Sequence, residues 1–207
     1  MNYLATRARF AAQGLFSTHE LRKAFPDFDK RRLVEWQARG HLQRVINRWY
    51  HLTETAVDEA QLWFTANRIY QPAYLSLETA LSYHGVIPES VHTFTSISPR
   101  KTQSFDTPLG TFRYRHLQPR LYFGYEVLRP AGTLPVLMAD LEKTLLDYCY
   151  LNPQLRTASD FASLRLNTSL LRENLNLTKL TDYQTLFAYP RLNERVQALL
   201  SLLPTHP

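Results

Sequence analysis

Asp29-Lys30-Arg31-Arg32-Leu33-Val34-Glu35-Trp36-Gln37-Ala38-Arg39-Gly40 runs directly into His41-Leu42-Gln43-Arg44-Val45-Ile46-Asn47-Arg48-Trp49-Tyr50-His51-Leu52. The first half reads as a helix that Asp29 caps and Gly40 closes. At about 100° per residue, Leu33 and Trp36 share one side, while Arg31, Arg32, Glu35 and Arg39 fall within an arc of about 100° on the other. One face is core and the other is mostly cationic. The second half is rich in β-branched, aromatic and apolar residues around the turn pair Asn47-Arg48, which predicts a hairpin with Arg44 and Arg48 near its tip.

Working upstream, residues from Asn2 to about Gln13 read as a helix with Leu4, Ala8, Ala11 and Ala12 on one side, ended by Gly14. Ser17-Thr18-His19-Glu20 offers a cap with an acid in the first turn, and Leu21, Ala24 and Phe25 form a short apolar stripe until Pro26. Three helices and a basic two-stranded wing make up the winged helix-turn-helix arrangement. There the third helix enters the major groove and the second helix starts near the phosphate backbone. The residues expected to touch DNA are Thr18, Lys30, Arg31, Arg32, Arg39, Arg44, Asn47 and Arg48. The other reading of this unit is a winged helix used only to dock protein.

Charge supports the same segment. The chain has 207 residues and a formal net charge of +6. Residues 1–52 hold 10 Lys and Arg against 4 Asp and Glu, whereas the remainder holds 14 against 14, so the whole surplus lies in the first quarter. A basic surplus on a short structured segment is the footprint expected of phosphate contact, although a solvated face has the same composition. Hydrophobic residues at 44% and aromatics at 13% predict a packed core rather than a disordered chain. The single cysteine, Cys149, excludes an intrachain disulfide and a zinc site built on cysteine pairs. No apolar run approaches the roughly 20 residues that span a bilayer, and the first residues lack the apolar stretch of a signal peptide. A cytoplasmic protein without a membrane partner is the expectation.

Downstream, residues 53–70 read as a connecting helix, with Ala56, Ala60, Trp63 and Phe64 spaced by threes and fours. No Gly/Ser-rich linker intervenes, so a second domain should pack against the first. Tyr74 to Gly85 reads as a helix capped by Ser76 and ended by Gly85. Strands are expected over Thr93–Ile97, Gln103–Phe105, Thr111–Arg115, Tyr122–Leu128 and Leu134–Met138, giving a small antiparallel sheet. Asp140 to Leu151 reads as a helix with Leu141, Leu145 and Tyr148 on its apolar side. The last fifty residues alternate Leu-rich helical runs with Asn- and Thr-rich turns.

Two stretches behind the basic unit carry a resemblance: Tyr74-Leu-Ser-Leu-Glu-Thr-Ala-Leu-Ser-Tyr-His-Gly-Val-Ile-Pro88 and Asp140-Leu-Glu-Lys-Thr-Leu-Leu-Asp147. Together with Phe105-Asp-Thr-Pro-Leu-Gly-Thr-Phe112 and Tyr122-Phe-Gly-Tyr125, they resemble the AbiEi family of bacterial abortive-infection antitoxins over roughly residues 5–151. The resemblance implies an N-terminal DNA-binding domain that represses its own operon. It also implies a C-terminal domain that opposes a nucleotidyltransferase-like toxin without a stable complex between the two. The motif residues it singles out are Ser76, Glu78, His84, Gly85, Glu142, Lys143 and Asp147. The wing departs from the family pattern, which often has Gly in the tight turn where this chain has Asn47-Arg48. Asn tolerates positive φ, so the turn can still form.

Enzymatic readings find less support. A nuclease carboxylate–lysine pair needs an acid and a lysine two apart on a strand so that both face one metal. Glu142 and Lys143 are adjacent and helical, so they diverge. Lys143 and Asp147, at i and i+4, read as a helix ion pair. His84 beside Gly85 reads as a structural hydrogen-bonding residue, and Cys149 among apolar neighbours reads as an inert buried thiol. No Gly-rich phosphate loop, His-x-Glu pair or Gly-x-Ser-x-Gly elbow is present.

The sequence therefore predicts an α+β protein: a winged helix-turn-helix over residues 1–55, then an AbiEi-like α+β domain over 56–207 with a small antiparallel sheet and a helical C-terminal region. No catalytic residue, metal or cofactor is expected. Double-stranded DNA is the expected partner. The alternatives are a regulator whose second domain senses a small ligand, with no toxin to oppose, and a metal-dependent nuclease.

Overall fold

Asn2 starts the first helix, α1 (Tyr3–Phe10), by accepting a 3.0 Å hydrogen bond from the Ala5 N–H through its side chain. The computed structural model describes residues 2–88, 92–130 and 134–203. After α1 the chain turns at Gly14, whose φ is 62°. A Cβ there would lie 2.6 Å from Thr55 Cγ2, so glycine meets both a left-handed backbone and a close neighbour. Strand β1 (Leu15–Ser17) leads into α2 (Thr18–Ala24), where Ser17 and Glu20 form the reciprocal cap that their spacing predicts. Asp29 accepts the Arg31 N–H at 2.9 Å as α3 (Arg31–Ala38) begins.

Strands β2 (Leu42–Ile46) and β3 (Trp49–Leu52) form the expected hairpin, and β1 joins it to give a three-stranded antiparallel sheet in the order β1-β3-β2. At the hairpin turn the positive φ falls on Arg48, at 69°, rather than on Asn47. Phe10, Phe16, Leu21, Leu33, Trp36, Leu42, Tyr50 and Leu52 form the apolar centre of this N-terminal unit.

The connecting helix is shorter than its apolar spacing suggests. It runs as α4 (Glu59–Ile69), because the Asp58 side chain accepts the Gln61 N–H at 2.8 Å and fixes the start. Thr53 is held instead by His41 and Gly40: its N–H donates to the His41 carbonyl at 3.2 Å and its hydroxyl to the Gly40 carbonyl at 2.6 Å.

Beyond α4 the expected small antiparallel sheet is a six-stranded mixed sheet. Its strands are β4 (Tyr74–Leu75), β5 (Thr93–Ser98), β6 (Gln103–Thr107), β7 (Gly110–His116), β8 (Tyr125–Leu128) and β9 (Val136–Ala139). The order is β6-β7-β5-β4-β9-β8, with β5–β7 and β4–β9 parallel. The chain reverses between β5 and β6 and again between β6 and β7, so β7 runs parallel to β5 where it lies between the two. Tyr74 and Leu75 pair with Ile97 and Ser96, so they extend the sheet rather than opening a helix. Helix α5 (Leu77–Tyr83) begins after Ser76, which makes no side-chain cap. Tyr122 lies outside β8, after a single 3-10 turn at Pro119–Leu121.

Each face of this sheet is covered. Leu75, Phe94, Phe112, Tyr114 and Met138 pack with Trp63, Phe64, Ala66 and Ile69 of α4, and Leu15 and Val45 of the N-terminal unit join the same cluster. Tyr74, Ile97 and Ala139 pack on the other side with α5, with α6 (Leu141–Leu151), and with the helices that follow. These are α7 (Ala158–Ala162), α8 (Thr168–Asn174), α9 (Leu177–Phe187) and α10 (Pro190–Leu200). Thr157, Asn167 and Asn176 cap the first three, as Asn- and Thr-rich turns between helices predict. Among the described residues no helix is long and apolar enough to cross a membrane.

Candidate functional site

The N-terminal unit carries a cleft of about 470 Å³ between α2, the start of α3 and the β2–β3 turn. Four residues singled out from the sequence line it: Thr18, Lys30, Asn47 and Arg48. The Thr18 N–H donates to the Arg48 carbonyl at 2.8 Å, which pins the turn against the first residue of α2. That bond and the one from the Glu20 N–H to Ser17 Oγ engage two of the helix's leading donors. The positive end of α2 is therefore partly satisfied internally, contrary to the expectation that it lies open to phosphate.

Five further lining residues were not among those expected to touch DNA: His19, Arg22, Leu33, Val34 and Tyr50. Arg22 lies one turn after Thr18 on α2, so the i,i+4 spacing carried the signal. Val34 is 67% exposed on α3. Helical spacing puts Lys30 and Val34 on the flank of α3 that borders the cleft, Arg31 at its outer edge, and Arg32 and Arg39 on the far flank. Arg31, Arg32, Arg39 and Arg44 are all exposed but lie outside the cleft lining. Arg32 is paired to Glu35 at 3.1 Å. Arg44 leans along the turn, with Nη2 3.4 Å from Asn47 Oδ1.

Electrostatics around the cleft follow from where the acids go. Glu20 pairs with Arg68 of α4, Glu35 with Arg32, and Asp29 accepts the Arg31 N–H; the N-cap of α3 is Lys30 rather than the expected Asp29. Among the described residues no carboxylate lines the cleft, whereas Arg22, Lys30 and Arg48 do. The opposite side of the hairpin packs on the body of the protein: Arg68 stacks over the Trp49 ring at 5.6 Å, and Val45 belongs to the α4 cluster. The turn itself stays open, with Asn47 and Arg48 exposed.

Residues of the second motif set divide among separate tasks. Lys143 and Asp147 are not a surface pair: both side chains are fully buried and ion-paired to each other. The Tyr74 hydroxyl and Ser76 Oγ donate to Asp147 Oδ2 at 2.8 and 2.9 Å, and Lys143 Nζ donates to the Tyr74 hydroxyl at 2.8 Å. The ammonium also faces the rings of Phe123 and Phe187 at 5.1 and 5.2 Å. Burial pushes the Lys143 pKa down and that of Asp147 up, and each partner's charge opposes the shift of the other. The same burial, followed by the Asp147 charge, raises the Tyr74 phenol well above its usual range.

Glu142 is a clamp. Its Oε1 accepts the Asn176 N–H at 2.9 Å, and its Oε2 meets Lys179 Nζ at 3.0 Å, tying α6 to α9. Lys179 also pairs with Asp140 at 3.2 Å. His84 Nε2 donates to the Ala139 carbonyl at 2.9 Å, and Gly85 follows with φ 71°, ending α5 as predicted. Cys149 is buried in α6, and burial pushes its thiol up to about 12. Glu78 faces a separate cavity over the sheet. Among the described residues no group of three or more His, Cys, Asp or Glu could hold a metal ion.

No family model matches the chain, and no curated protein matches it.

Proposed function

We propose that the N-terminal unit is a winged helix-turn-helix that binds double-stranded DNA, with α3 in the major groove and the β2–β3 turn on the flanking backbone. One observation carries this reading: Arg22, Lys30 and Arg48 surround a single cleft whose lining, among the described residues, contains no carboxylate. Cations on three separate elements converge, and polyanionic backbone is the ligand that such convergence suits. Arg31, at the outer edge of α3, is positioned for a base edge or a phosphate.

In this proposal residues 1–55 are the DNA-binding domain and 56–207 a second domain, and the protein is a cytoplasmic transcriptional regulator. The AbiEi resemblance of Tyr74–Pro88 and Asp140–Asp147 extends the proposal to an autorepressor that opposes a nucleotidyltransferase-like toxin without a stable complex. A gel shift against the promoter of its own operon tests the first part. Binding that falls steeply with salt is expected, and salt-independent binding or none would remove it. Co-expression with the product of the neighbouring gene tests the second part: rescue of growth is expected, and failure to rescue from a toxic neighbour counts against the antitoxin role.

A further inference from the structure

An open amphipathic cavity lies far along the chain from the basic cleft, over β5 and β7 and beside α5 and α6. It is a cavity of about 480 Å³, within the roughly 300–1,000 Å³ range of small-molecule pockets. Glu78 of α5 and Arg113 of β7 both line it, and neither makes an ion pair or a side-chain hydrogen bond among the described residues. Tyr148 of α6 adds a half-buried hydroxyl; burial and then the Glu78 charge push its phenol up to about 12, so it remains a donor at neutral pH. Leu81, Ile87 and Leu164 supply an apolar wall.

Glu78 is half-buried and has no partner among the described residues, and a half-buried ion gains most when paired; Arg113, exposed at the rim of the same cavity, offers the opposite charge. The neighbouring cation on the same strand shows the contrast: Arg115 Nη2 donates to the Leu151 carbonyl at 3.0 Å and is thereby engaged. We infer that this cavity binds a small zwitterion with an apolar side chain, of the α-amino acid class. Its carboxylate is held by the Arg113 guanidinium and the Tyr148 hydroxyl, its ammonium by Glu78, and its side chain lies on Leu81, Ile87 and Leu164. The inference does not depend on DNA binding and is tested without DNA.

The test is calorimetric titration of the full chain with L-leucine, L-phenylalanine, leucinamide and N-acetylleucine. At least one of the two amino acids should bind. Leucinamide, which lacks the carboxylate, and N-acetylleucine, which lacks the ammonium, should each bind about tenfold or more weakly than leucine, the loss expected when a charged hydrogen bond is deleted. Arg113→Ala should weaken leucine to the level of leucinamide and leave leucinamide unchanged. Glu78→Gln should do the same for N-acetylleucine. Neither side chain carries an internal bond, so both variants should keep the parent melting temperature; should one unfold, the ligand series on the parent chain decides. No binding of either amino acid at millimolar concentration, or equal affinity across leucine and its two derivatives, would overturn the inference. So would leucine binding that neither substitution changes.

Discussion

Lys143 and Asp147 sit one turn apart on α6 with their charged groups in direct contact and no solvent on either. A buried pair of this kind is balanced by its own geometry, and removing one member strands the other. Asp147→Ala is therefore expected to destabilise the protein by about 3–5 kcal/mol, because the buried ammonium loses its counter-charge and keeps the Tyr74 hydroxyl and the faces of nearby aromatic rings. Lys143→Met/Asp147→Ala should cost clearly less than the sum of Lys143→Met and Asp147→Ala. Urea unfolding of the three variants measures this, and additive costs would show that the two charges are not coupled.

The same pair marks the limit of what sequence spacing conveys. An i,i+4 Lys–Asp step reads as an exposed helix pair, since nothing local says that Tyr74 and Ser76, about seventy residues earlier, close over it. Local signals were legible: the Ser17–Glu20 cap, the hairpin about 47–48, the stop at Gly85, and the Asn and Thr caps of the last helices; the first helix, expected to run to about Gln13, ends at Phe10, before Gly14. Features set by distant partners were not. β1 and β4 are three and two residues long, too short for any period, and exist because β3, β5 and β9 pair with them. The parallel β5–β7 contact is likewise a property of the assembled sheet. At the site, Thr18, Lys30, Asn47 and Arg48 were found by their charge and turn chemistry. Arg22 was missed although its spacing from Thr18 was visible, and Val34 was left unassigned.

Core and surface positions of α3 should separate cleanly. Leu33 and Trp36 are 4% and 3% exposed within the N-terminal cluster. Leu33→Ala or Trp36→Ala is expected to lower stability by about 2–5 kcal/mol. Arg31→Ala, at an exposed position, should leave the unfolding free energy within about 0.5 kcal/mol of the parent and weaken DNA binding. A loss of fold in Arg31→Ala, or none in Trp36→Ala, would contradict the assignment of faces.

Among the arginines, the cleft predicts a rank order. Arg22 and Arg48 line it, whereas Arg32 is already neutralised by Glu35 on the far flank of α3. Arg22→Ala and Arg48→Ala should each weaken binding to promoter DNA and reduce the slope of log affinity against log salt by about one, the signature of one lost phosphate contact. Arg32→Ala should change the slope less. Fluorescence anisotropy across a salt series reads both quantities, and an effect of Arg32 equal to or larger than that of Arg48 would move the DNA-facing surface to the other flank of α3.

His51 gives the stability of the N-terminal unit a defined pH dependence. It lies on β3 between Leu15 and Gln43 of the neighbouring strands, is 1% exposed, and its Nε2 has no hydrogen-bond partner among the described residues. Burial lowers its pKa below the ordinary histidine value. Above about pH 6.5 the imidazole is neutral in both folded and unfolded chains, so it imposes no penalty. As pH falls through that value the unfolded chain takes up a proton that the folded chain resists, and stability drops until the lowered folded pKa is passed. The urea midpoint should therefore fall between about pH 7 and pH 5, and His51→Leu should flatten that part of the profile. A midpoint constant over this range in the parent, or an unchanged slope in His51→Leu, would assign the acid sensitivity to other groups.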